Sequence, residues 1–250
     1  MKNDDKINLK LVLDEINNLN SLLYELEDDD LNSINFCPIC NEFSEFKSFG
    51  IKSRPNVKCP ICGSLERHRL SWLVFKYKLD YLLFKKDIKL LHFAPEKIFY
   101  NIFREMENVD YFPVDLFPEG FEKRNIKIRA SVNMENIPFD DETFDIIYNS
   151  HVLEHVLYDI VAMGELYRVL KKGGYCVVLV PIRRNLNQTL EKEEYNTPEL
   201  RLKYYGQEDH VRYYGMDIVD RLKSVGFSVE ILSEENLLVS DLSKQYIIYS

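Results

Sequence analysis

Four of the five cysteines form two close pairs whose spacing suits a metal ion. The pairs are Cys37–Cys40 and Cys59–Cys62, each a C-x2-C motif, and eighteen residues separate them. Zinc prefers thiolate ligands in a tetrahedron, and two such pairs on separate turns supply four of them. The spacing therefore predicts a zinc site. Four sulfur ligands leave no open position, so we expect it to be structural, with four free thiols in a small core as the alternative.

A second set of polar residues follows predicted strands. Phe144–Tyr148 is a short apolar run that ends at Asn149, and Val109–Leu116 contains Asp115 near its end. Asn133 follows the approach to a further strand. In open α/β sheets, ligands bind beyond the carboxyl ends of the strands. We therefore expect these three polar side chains to lie near a ligand.

The stretch Ser131–Val156 resembles motifs of the class I S-adenosylmethionine-dependent methyltransferases. The matching residues are Asn133-Met134-Glu135, Ile137-Pro138-Phe139, Phe144-Asp145 and Val152-Leu153-Glu154-His155, and the resemblance continues through Glu165–Gly174. It covers roughly residues 88 to 250. It implies an α/β, Rossmann-like fold with a seven-stranded sheet whose last strand is antiparallel. It also implies S-adenosylmethionine as the cofactor.

The resemblance assigns cofactor-binding residues at the ends of the strands. Asp115 would accept hydrogen bonds from the ribose hydroxyls. Asn133 would face the adenine, where its amide can both accept and donate, and Met134 would form an apolar wall beside the ring. Asn149, at the end of the fourth strand, is the last of these cofactor-binding candidates.

The turn after the first predicted strand, Ile88–Pro95, departs from the family pattern. The family has G-x-G-x-G there, and its glycines let the backbone approach the cofactor. Phe93, Ala94, Pro95 and Glu96 occupy this place instead. We expect a variant cofactor-binding turn with Ala94 as the small residue. The alternative is a chain that has lost the cofactor and serves as a non-catalytic, methyltransferase-like, zinc-binding interaction module.

Three residues are candidates for proton transfer. A weak oxygen nucleophile needs a base, and the candidates are His151 at the exit of the fourth strand and His210 beside Asp209. The string from His151 to His155 also matches H-x-x-E-H, a metallopeptidase pattern that would place both histidines on one helical face. The methyltransferase pattern already accounts for this position, and no third ligand is evident. A peptidase is therefore the weaker interpretation.

Clustered arginines indicate an anionic acceptor. The acceptor-binding candidates are Arg67, Arg69, Arg183 and Arg212, with Arg184 beside them. We expect O-methylation of a small acceptor, such as a phosphorylated or nucleotide-activated sugar or a surface-glycan (capsule) precursor. Solvated charged faces are the alternative for these arginines.

The elements that must position these residues divide the chain into three segments. Residues 1–30 predict an acidic amphipathic helix, which packs on its own domain or forms a homodimer through its leucine stripe. Residues 31–86 hold the zinc ribbon and a linking helix, and residues 87–250 the methyltransferase domain. Within it, residues 182–214 form an insertion expected to cover the acceptor. The string Cys62–Arg69 ahead of such a domain is similar to a bacterial branch of the family with an N-terminal four-cysteine zinc ribbon.

Composition limits the classes of partner. The formal net charge is −9, of which residues 1–30, with three lysines and nine acidic residues, contribute −6. The remainder gives no electrostatic reason to expect general nucleic-acid binding. No apolar run approaches the length of a membrane span, and no signal-peptide core is evident. Cysteines in this arrangement fit a reducing compartment, so we expect a cytoplasmic protein.

Overall fold

The structure, a computed structural model, describes residues 34–50, 53–83, 87–183, 185–232 and 247–249. The predicted acidic helix of residues 1–30, the homodimer through it and the predicted role of Arg184 lie outside the described residues. The chain divides into two units, the first ending at Leu65 and the second beginning at Glu66.

The first unit contains two antiparallel hairpins. Their strands are β1 (Ile34–Cys37), β2 (Glu42–Glu45), β3 (Lys47–Phe49) and β4 (Arg54–Lys58). Asn41 and Gly63 adopt left-handed φ angles of 58° and 75°, and their N–H groups donate to the carbonyls of Cys37 and Cys59 at 2.8 and 3.0 Å. Phe46 joins these two cysteines in a core of three buried residues. So small a core needs a further cross-link, such as a metal ion.

The second unit is built on one sheet. Its strands are β5 (Ile88–Phe93), β6 (Val109–Asp115), β7 (Ala130–Ser131), β8 (Phe144–Ser150), β9 (Leu170–Leu179), β10 (Glu230–Leu232) and β11 (Ile247–Tyr249). Among the described residues, their order is β7-β6-β5-β8-β9-β11-β10. The pairs from β7 to β9 are parallel, whereas β11 is antiparallel to both of its neighbours. The predicted α/β fold with a parallel central sheet is confirmed.

Helices cover both faces of this sheet. They are α1 (Glu66–Tyr77), α2 (Asp80–Leu83), α3 (Lys97–Phe103), α4 (Asp159–Val169), α5 (Pro198–Tyr205) and α6 (Ile218–Ser224). Leu91 and Ile147 pack with residues of α4 and α6, and the alternate residues Leu90 and Ile146 pack with residues of α1, α2 and α3. Burial on both faces explains why these strands read as continuous apolar runs. In the described part of the chain, no helix has the length and apolarity to cross a membrane.

The sequence pattern of residues 151–157 predicts a helix that begins at His151, but the segment after β8 has a different structure. His151 has a φ of 57°, and only a short 3-10 turn, Leu153–His155, precedes α4. A residue in the left-handed region cannot start a right-handed helix, so the prediction of a helix from this residue is wrong. The two histidines of the H-x-x-E-H string therefore do not share a helical face.

The continuous apolar run Tyr175–Val180 predicts a buried strand that begins at Tyr175, whereas β9 begins at Leu170. The backbone N–H groups of Glu142 and Thr143 donate to the last two carbonyl oxygens of α4, both at 2.9 Å. Because these bonds satisfy the end of the helix, no glycine cap is needed. The sequence predicts a helix over Ile160–Leu170 that is capped by Gly173-Gly174, but both glycines lie within β9.

Gly174 occupies a position with no room for a side chain. A Cβ there would stand 2.8 Å from the carbonyl oxygen of Asp145 and 2.9 Å from that of Lys171. We expect Gly174→Ala to lower the free energy of unfolding by about 1–3 kcal/mol in urea denaturation, because the strand backbone must move. Gly164→Ala in α4 is the control, since nothing lies within 4 Å of its Cβ. Alanine should stabilise that helix by about 1 kcal/mol. Unchanged stability of Gly174→Ala would contradict this packing.

Candidate functional site

The four paired cysteines of the first unit come together. Their sulfur atoms all lie within 4.8 Å of one another, and none of the four forms a disulfide. The Sγ atoms of Cys37 and Cys62 are 3.6 Å apart, and those of Cys40 and Cys59 are 3.7 Å apart. A tetrahedral zinc ion with Zn–S bonds of about 2.3 Å holds its sulfur ligands about 3.8 Å apart. The cluster therefore fits zinc.

Burial opposes ionisation of most of these thiols when no cation is near. It raises the pKa of Cys40, where hydrogen bonds with Cys37 and Cys59 add to the effect, and it raises the pKa of Cys62. At Cys59 burial also acts upward, but backbone N–H groups, that of Cys62 first, outweigh it and lower the pKa to about 7. A cation that binds four thiolates would favour the ionised forms, so metal binding and folding of this unit are coupled.

In the second unit, the parallel register brings predicted cofactor residues to one edge of the sheet. Phe93 of β5 pairs with Val114 of β6 on one side and with Asn149 of β8 on the other. The residues that follow on β5 and β6, Ala94 and Asp115, therefore lie side by side. They stand at the carboxyl ends of parallel strands, where such folds bind ligands.

The turn after β5 holds Ala94 in the conformation that glycine normally adopts. Its φ is 47°, and its N–H donates to the carbonyl of Val114 at 3.0 Å. This backbone costs about 1–2 kcal/mol for an alanine. Phe93 and Met134 are 2% and 3% exposed and belong to the same core cluster, and Pro95 is buried as well. The side chain of Met134, predicted to form an apolar wall beside the adenine, is thus part of the core. The backbone of Met134 remains available to a ligand.

Asp115 presents one free carboxylate oxygen at this edge. The N–H of Phe117 donates to its Oδ1 at 2.7 Å, and none of the described residues donates to Oδ2. Burial raises the pKa of Asp115, while the Phe117 N–H and the charge of Arg124 oppose that rise. A half-buried carboxylate with a free oxygen can accept hydrogen bonds from a ligand's hydroxyl groups.

Two amide side chains lie on the same edge. Asn133 Oδ1 accepts from the N–H of Glu135 at 2.9 Å, so its Nδ2 is left as a donor. Asn149 is fully buried; its Nδ2 lies 3.9 Å from Cys176 Sγ, and its Oδ1 has no partner among the described residues. A buried oxygen without a donor costs about 1–3 kcal/mol. This oxygen is therefore free to accept a hydrogen bond.

Glu96, predicted to bind the cofactor, is engaged inside the protein instead. Its Oε1 accepts from Arg67 Nε at 3.0 Å and lies 2.9 Å from His68 Nε2, and its Oε2 accepts from the Tyr148 hydroxyl at 3.1 Å. Burial acts to raise the pKa of Glu96, but His68 and Arg67 outweigh it and lower the pKa to about 2. These contacts form an ion pair that ties α1 to the turn after β5, and the ligand-binding roles of Glu96 and Arg67 stay predictions.

Sequence reasoning missed His92, which lies beside this ion pair. His92 is fully buried in β5, with Nδ1 2.9 Å from the Tyr111 hydroxyl and its ring centroid 4.7 Å from that of Tyr148. Its Nε2 has no partner among the described residues, and burial lowers its pKa to about 3. A single histidine inside an apolar strand gives no signal in sequence that distinguishes it from a packing residue.

The predicted proton-transfer histidines meet around Glu154, beyond the end of β8. His151 Nδ1 is 3.1 Å from Oε1 of the fully buried Glu154. The N–H of Val211 donates to the Glu154 carbonyl at 2.9 Å, which brings His210 to the same place. The rings of His155 and His210 stand edge to face with centroids 4.7 Å apart. The structure therefore brings His210 to Glu154 and His155 of the H-x-x-E-H string, in a group that does not include His151.

The side chain of Asp209 does not hydrogen-bond to His210, although the two are neighbours in sequence. His210 Nδ1 lies 3.1 Å from the Tyr205 carbonyl oxygen, which can only accept, so the proton is on Nδ1 and Nε2 is free. Burial lowers the pKa of His210, which favours the neutral ring. Asp209 is exposed, and its Oδ2 is 3.3 Å from Nδ1 of His155. Asp209 therefore orients His155 rather than His210.

Arg212 is a structural residue and not the predicted acceptor ligand. It is 3% exposed, and its guanidinium pairs with Glu191 at 2.9 Å and lies 3.7 Å from Asp159. It also donates to the carbonyl oxygens of Leu153, Val156 and Leu157. Its donors are thus used within the protein, where they hold the loop that carries Glu154.

Arg183 remains accessible among the predicted acceptor-binding arginines. It is exposed, and its guanidinium carbon stands 4.2 Å from the ring centroid of Tyr213. Stacking on an aromatic face leaves the edge of the guanidinium open to an anion. Arg69, by contrast, is only 4% exposed, so we do not retain it as an acceptor ligand.

Comparison with known proteins agrees with this architecture. Residues 99–178 match the family described as "Methyltransferase domain". An uncharacterized protein of Methanocaldococcus jannaschii is 33% identical over 99 residues, which cover 39% of this chain and 41% of that protein. The sterol 4-C-methyltransferase of Caenorhabditis elegans is 33% identical over 82 residues, which cover 32% of this chain and 25% of that protein.

Among solved structures, the CurJ carbon methyltransferase superposes with a TM-score of 0.53 and 16% identity, over 74% of this chain and 55% of that one. At this identity the likeness shows the fold alone. The matches span less than half the length of the two curated relatives. Residues 99–178 are thus similar to a methyltransferase domain, and the second unit shares the α/β fold of such domains.

The cysteine cluster should bind a metal through all four sulfurs. We expect cobalt(II) substituted for zinc to show an intense thiolate charge-transfer absorption in the near ultraviolet, and Cys59→Ser to remove that band, because a closed site needs every ligand. Cys176→Ala is the control, since Cys176 is buried in β9 outside the cluster. Loss of the band in both variants, or in neither, would contradict the assignment.

The stability of the second unit should fall in acid in two steps. The folded pKa of His92 is lowered from 6.5 to about 3, so the unfolded state takes up this proton first and stability declines as pH drops below 6.5. The slope is at most about 1.4 kcal/mol per pH unit. Glu96, lowered from 4.5 to about 2, adds to the loss below pH 4.5.

Two variants separate these steps in urea titrations across the pH range. His92→Asn should weaken the decline between pH 6.5 and 4.5, to which His210, whose pKa is also lowered, still contributes. Glu96→Gln should keep that decline and weaken the one below pH 4.5. If the free energy of unfolding falls between pH 6.5 and 4.5 with the same slope in His92→Asn as in wild type, a group other than His92 causes the decline.

Proposed function

We propose that the chain is an S-adenosylmethionine-dependent methyltransferase that O-methylates a small anionic acceptor. The domain match and the fold support the reaction class. The observation that carries the proposal is the juxtaposition at the carboxyl edge of the sheet. There, Asp115 keeps a free carboxylate oxygen, and Asn149 keeps a buried oxygen without a donor among the described residues. Both suit a ligand with hydroxyl and amino groups.

The residues at this edge would share the binding of the cofactor. Asp115 would accept from the ribose hydroxyls, and Asn133 Nδ2 would donate to the adenine ring. Ala94 would let the turn after β5 approach the ligand, because its conformation is the one that glycine provides in the family pattern. The bound cofactor supplies an electrophilic methyl group on a sulfonium, so the chain mainly has to align the acceptor.

His151 is the better placed of the two proposed bases. Its Nδ1 is held by the buried carboxylate of Glu154 at 3.1 Å, and no described residue bonds to its Nε2. A carboxylate behind an imidazole fixes the tautomer and stabilises the imidazolium that forms when the ring takes a proton. His151 also follows β8 directly, at the edge where Asn149 lies.

Arg183 supports an anionic acceptor. Its exposed guanidinium, stacked on Tyr213, can bind a phosphate or carboxylate through two parallel hydrogen bonds. Phosphorylated or nucleotide-activated sugars and surface-glycan precursors are the acceptors we propose for testing first, because each offers both a hydroxyl and an anionic group.

A non-catalytic interaction module is the second candidate. The left-handed Ala94 in place of a glycine favours it, because a strained turn is less able to adapt to a ligand. The compact cysteine cluster would also suit a module that presents a zinc-stabilised surface to a partner.

Asp115→Ala should weaken S-adenosylmethionine binding by about 10- to 100-fold, because hydrogen bonds to a charged acceptor contribute about 1.5–3 kcal/mol. The measurement is isothermal titration calorimetry on the full chain. Asp110→Ala is the matched control, since Asp110 lies on the same strand, pairs with Arg129 at 2.7 Å and is exposed.

Two outcomes would contradict the proposal. Equal affinity in Asp115→Ala and wild type would remove the ribose role. An absence of S-adenosylmethionine binding by the wild-type chain would favour the non-catalytic module.

A further inference from the structure

A second cluster of metal-ligating side chains lies in the loop after β8 and the segment packed on it. It consists of Glu154, His155 and His210, and one ligand atom from each lies within 4.8 Å of the others. Ligands on opposite sides of one ion, each at about 2.1 Å, stand about 4.2 Å apart. The three side chains therefore need only small adjustments to share an ion.

Two of these ligand atoms are buried and without a hydrogen-bond partner among the described residues. Glu154 is 0% exposed, and its Oε2 is unpaired while Oε1 contacts His151. His210 is 4% exposed, and its Nε2 is unpaired while Nδ1 faces the carbonyl of Tyr205. A carboxylate oxygen and an imidazole lone pair repel each other in a buried site. A positive charge between them would remove this cost.

The neighbours orient both histidines as metal sites require. Metal-bound histidines usually donate their second ring nitrogen to a carboxylate or a carbonyl. The second partner of His155 is the carboxylate of Asp209 at 3.3 Å, and that of His210 is the Tyr205 carbonyl at 3.1 Å. Each ring thus keeps one nitrogen for an ion.

We propose that Glu154, His155 and His210 bind a divalent transition-metal cation. Imidazole and carboxylate ligands together suit manganese, iron, cobalt or zinc better than a soft ion such as copper(I). Three protein ligands leave at least one coordination position open to water or to an oxygen of a substrate.

This open position gives the cation a role that rests on the proposed methyl transfer. Bound there, an acceptor hydroxyl is acidified, and its proton passes to His151 Nε2. The acceptor oxygen then forms a bond to the methyl carbon as the bond from that carbon to sulfur breaks, and S-adenosylhomocysteine leaves. The acceptor is therefore an oxygen nucleophile, and a hydroxyl beside a second oxygen would chelate the ion best.

Cobalt(II) binding to the full chain, with zinc already held by the cysteines, tests the site. We expect one cobalt ion per chain by calorimetry, with weak visible absorption and no thiolate charge-transfer band. Glu154→Gln and His155→Gln should each weaken cobalt binding by more than about 100-fold, since even the loss of an outer partner costs about 10–100-fold. Glu208→Gln, an exposed neighbour in sequence, should bind cobalt like wild type.

Failure to bind cobalt in the wild-type chain, or unchanged affinity in both ligand variants, would overturn the proposal. A direct hydrogen bond between a protonated His210 and Glu154 would then satisfy the two buried atoms. Glu154→Gln keeps the side-chain volume; should it fail to fold, the partly exposed His155→Gln decides alone. The affinities of Asp115→Ala for S-adenosylmethionine and for cobalt separate the two proposals. This variant should bind S-adenosylmethionine more weakly than wild type and bind cobalt equally well.

Discussion

The buried guanidinium of Arg212 fixes the geometry of the candidate site. Its N–H groups go to carbonyl oxygens of the loop Leu153–Leu157, and its charge is balanced by Glu191 and Asp159. Arg221 pairs with both of these carboxylates as well, at 3.0 Å in the case of Asp159. Taking such charges out of water costs several kcal/mol per ion, so the network is not a simple source of stability. The network instead restricts the loop Leu153–Leu157 to one arrangement, because any other arrangement would leave a buried charge unpaired.

That constraint matters because the loop has little structure of its own. Between β8 and α4 it forms a single 3-10 turn, whose few internal hydrogen bonds would not hold a side chain in place. The carbonyl of Glu154 is instead bound by the N–H of Val211, next to Arg212. Bridges between Ile182 and Tyr214 and between Leu190 and Tyr213 close the segment that carries these residues. The polar groups beyond β8 are therefore positioned by residues far away in sequence.

This dependence explains which features the sequence could predict. The strands β5, β6 and β8 were predicted because burial on both faces requires apolar runs, and the cysteine cluster because metal geometry requires its spacing. The contacts of Glu96 were not predicted, because nothing in the local sequence indicates that Arg67 and His68 of α1 pair with it.

Long-range partners account for the remaining differences. His210 joins Glu154 and His155 only through tertiary contacts, so a search for a third ligand near the H-x-x-E-H string could not find it. The helix predicted over Ile160–Leu170 agrees with α4 to one residue at each end, but its predicted glycine cap was misplaced for the same reason. Its last carbonyls bond to the backbone at Glu142 and Thr143, which makes a glycine cap unnecessary.

Backbone strain at the ends of β5 and β8 bears on the absence of glycine from the turn after β5. Ala94 after β5 and His151 after β8 both adopt left-handed φ angles, 47° and 57°, at a cost of about 1–2 kcal/mol each. Their N–H groups are bound by the carbonyls of Val114 and Leu179, at 3.0 and 2.8 Å, so the sheet itself enforces the turns. Against a total stability of about 5–15 kcal/mol, such strain persists only where the surrounding structure determines it. The turn after β5 thus has the backbone conformation that glycine would adopt. Compared with a glycine at this position, Ala94 adds only its small Cβ. A glycine-free sequence at this turn is therefore compatible with a cofactor crevice, since conformation rather than residue type is what the crevice requires.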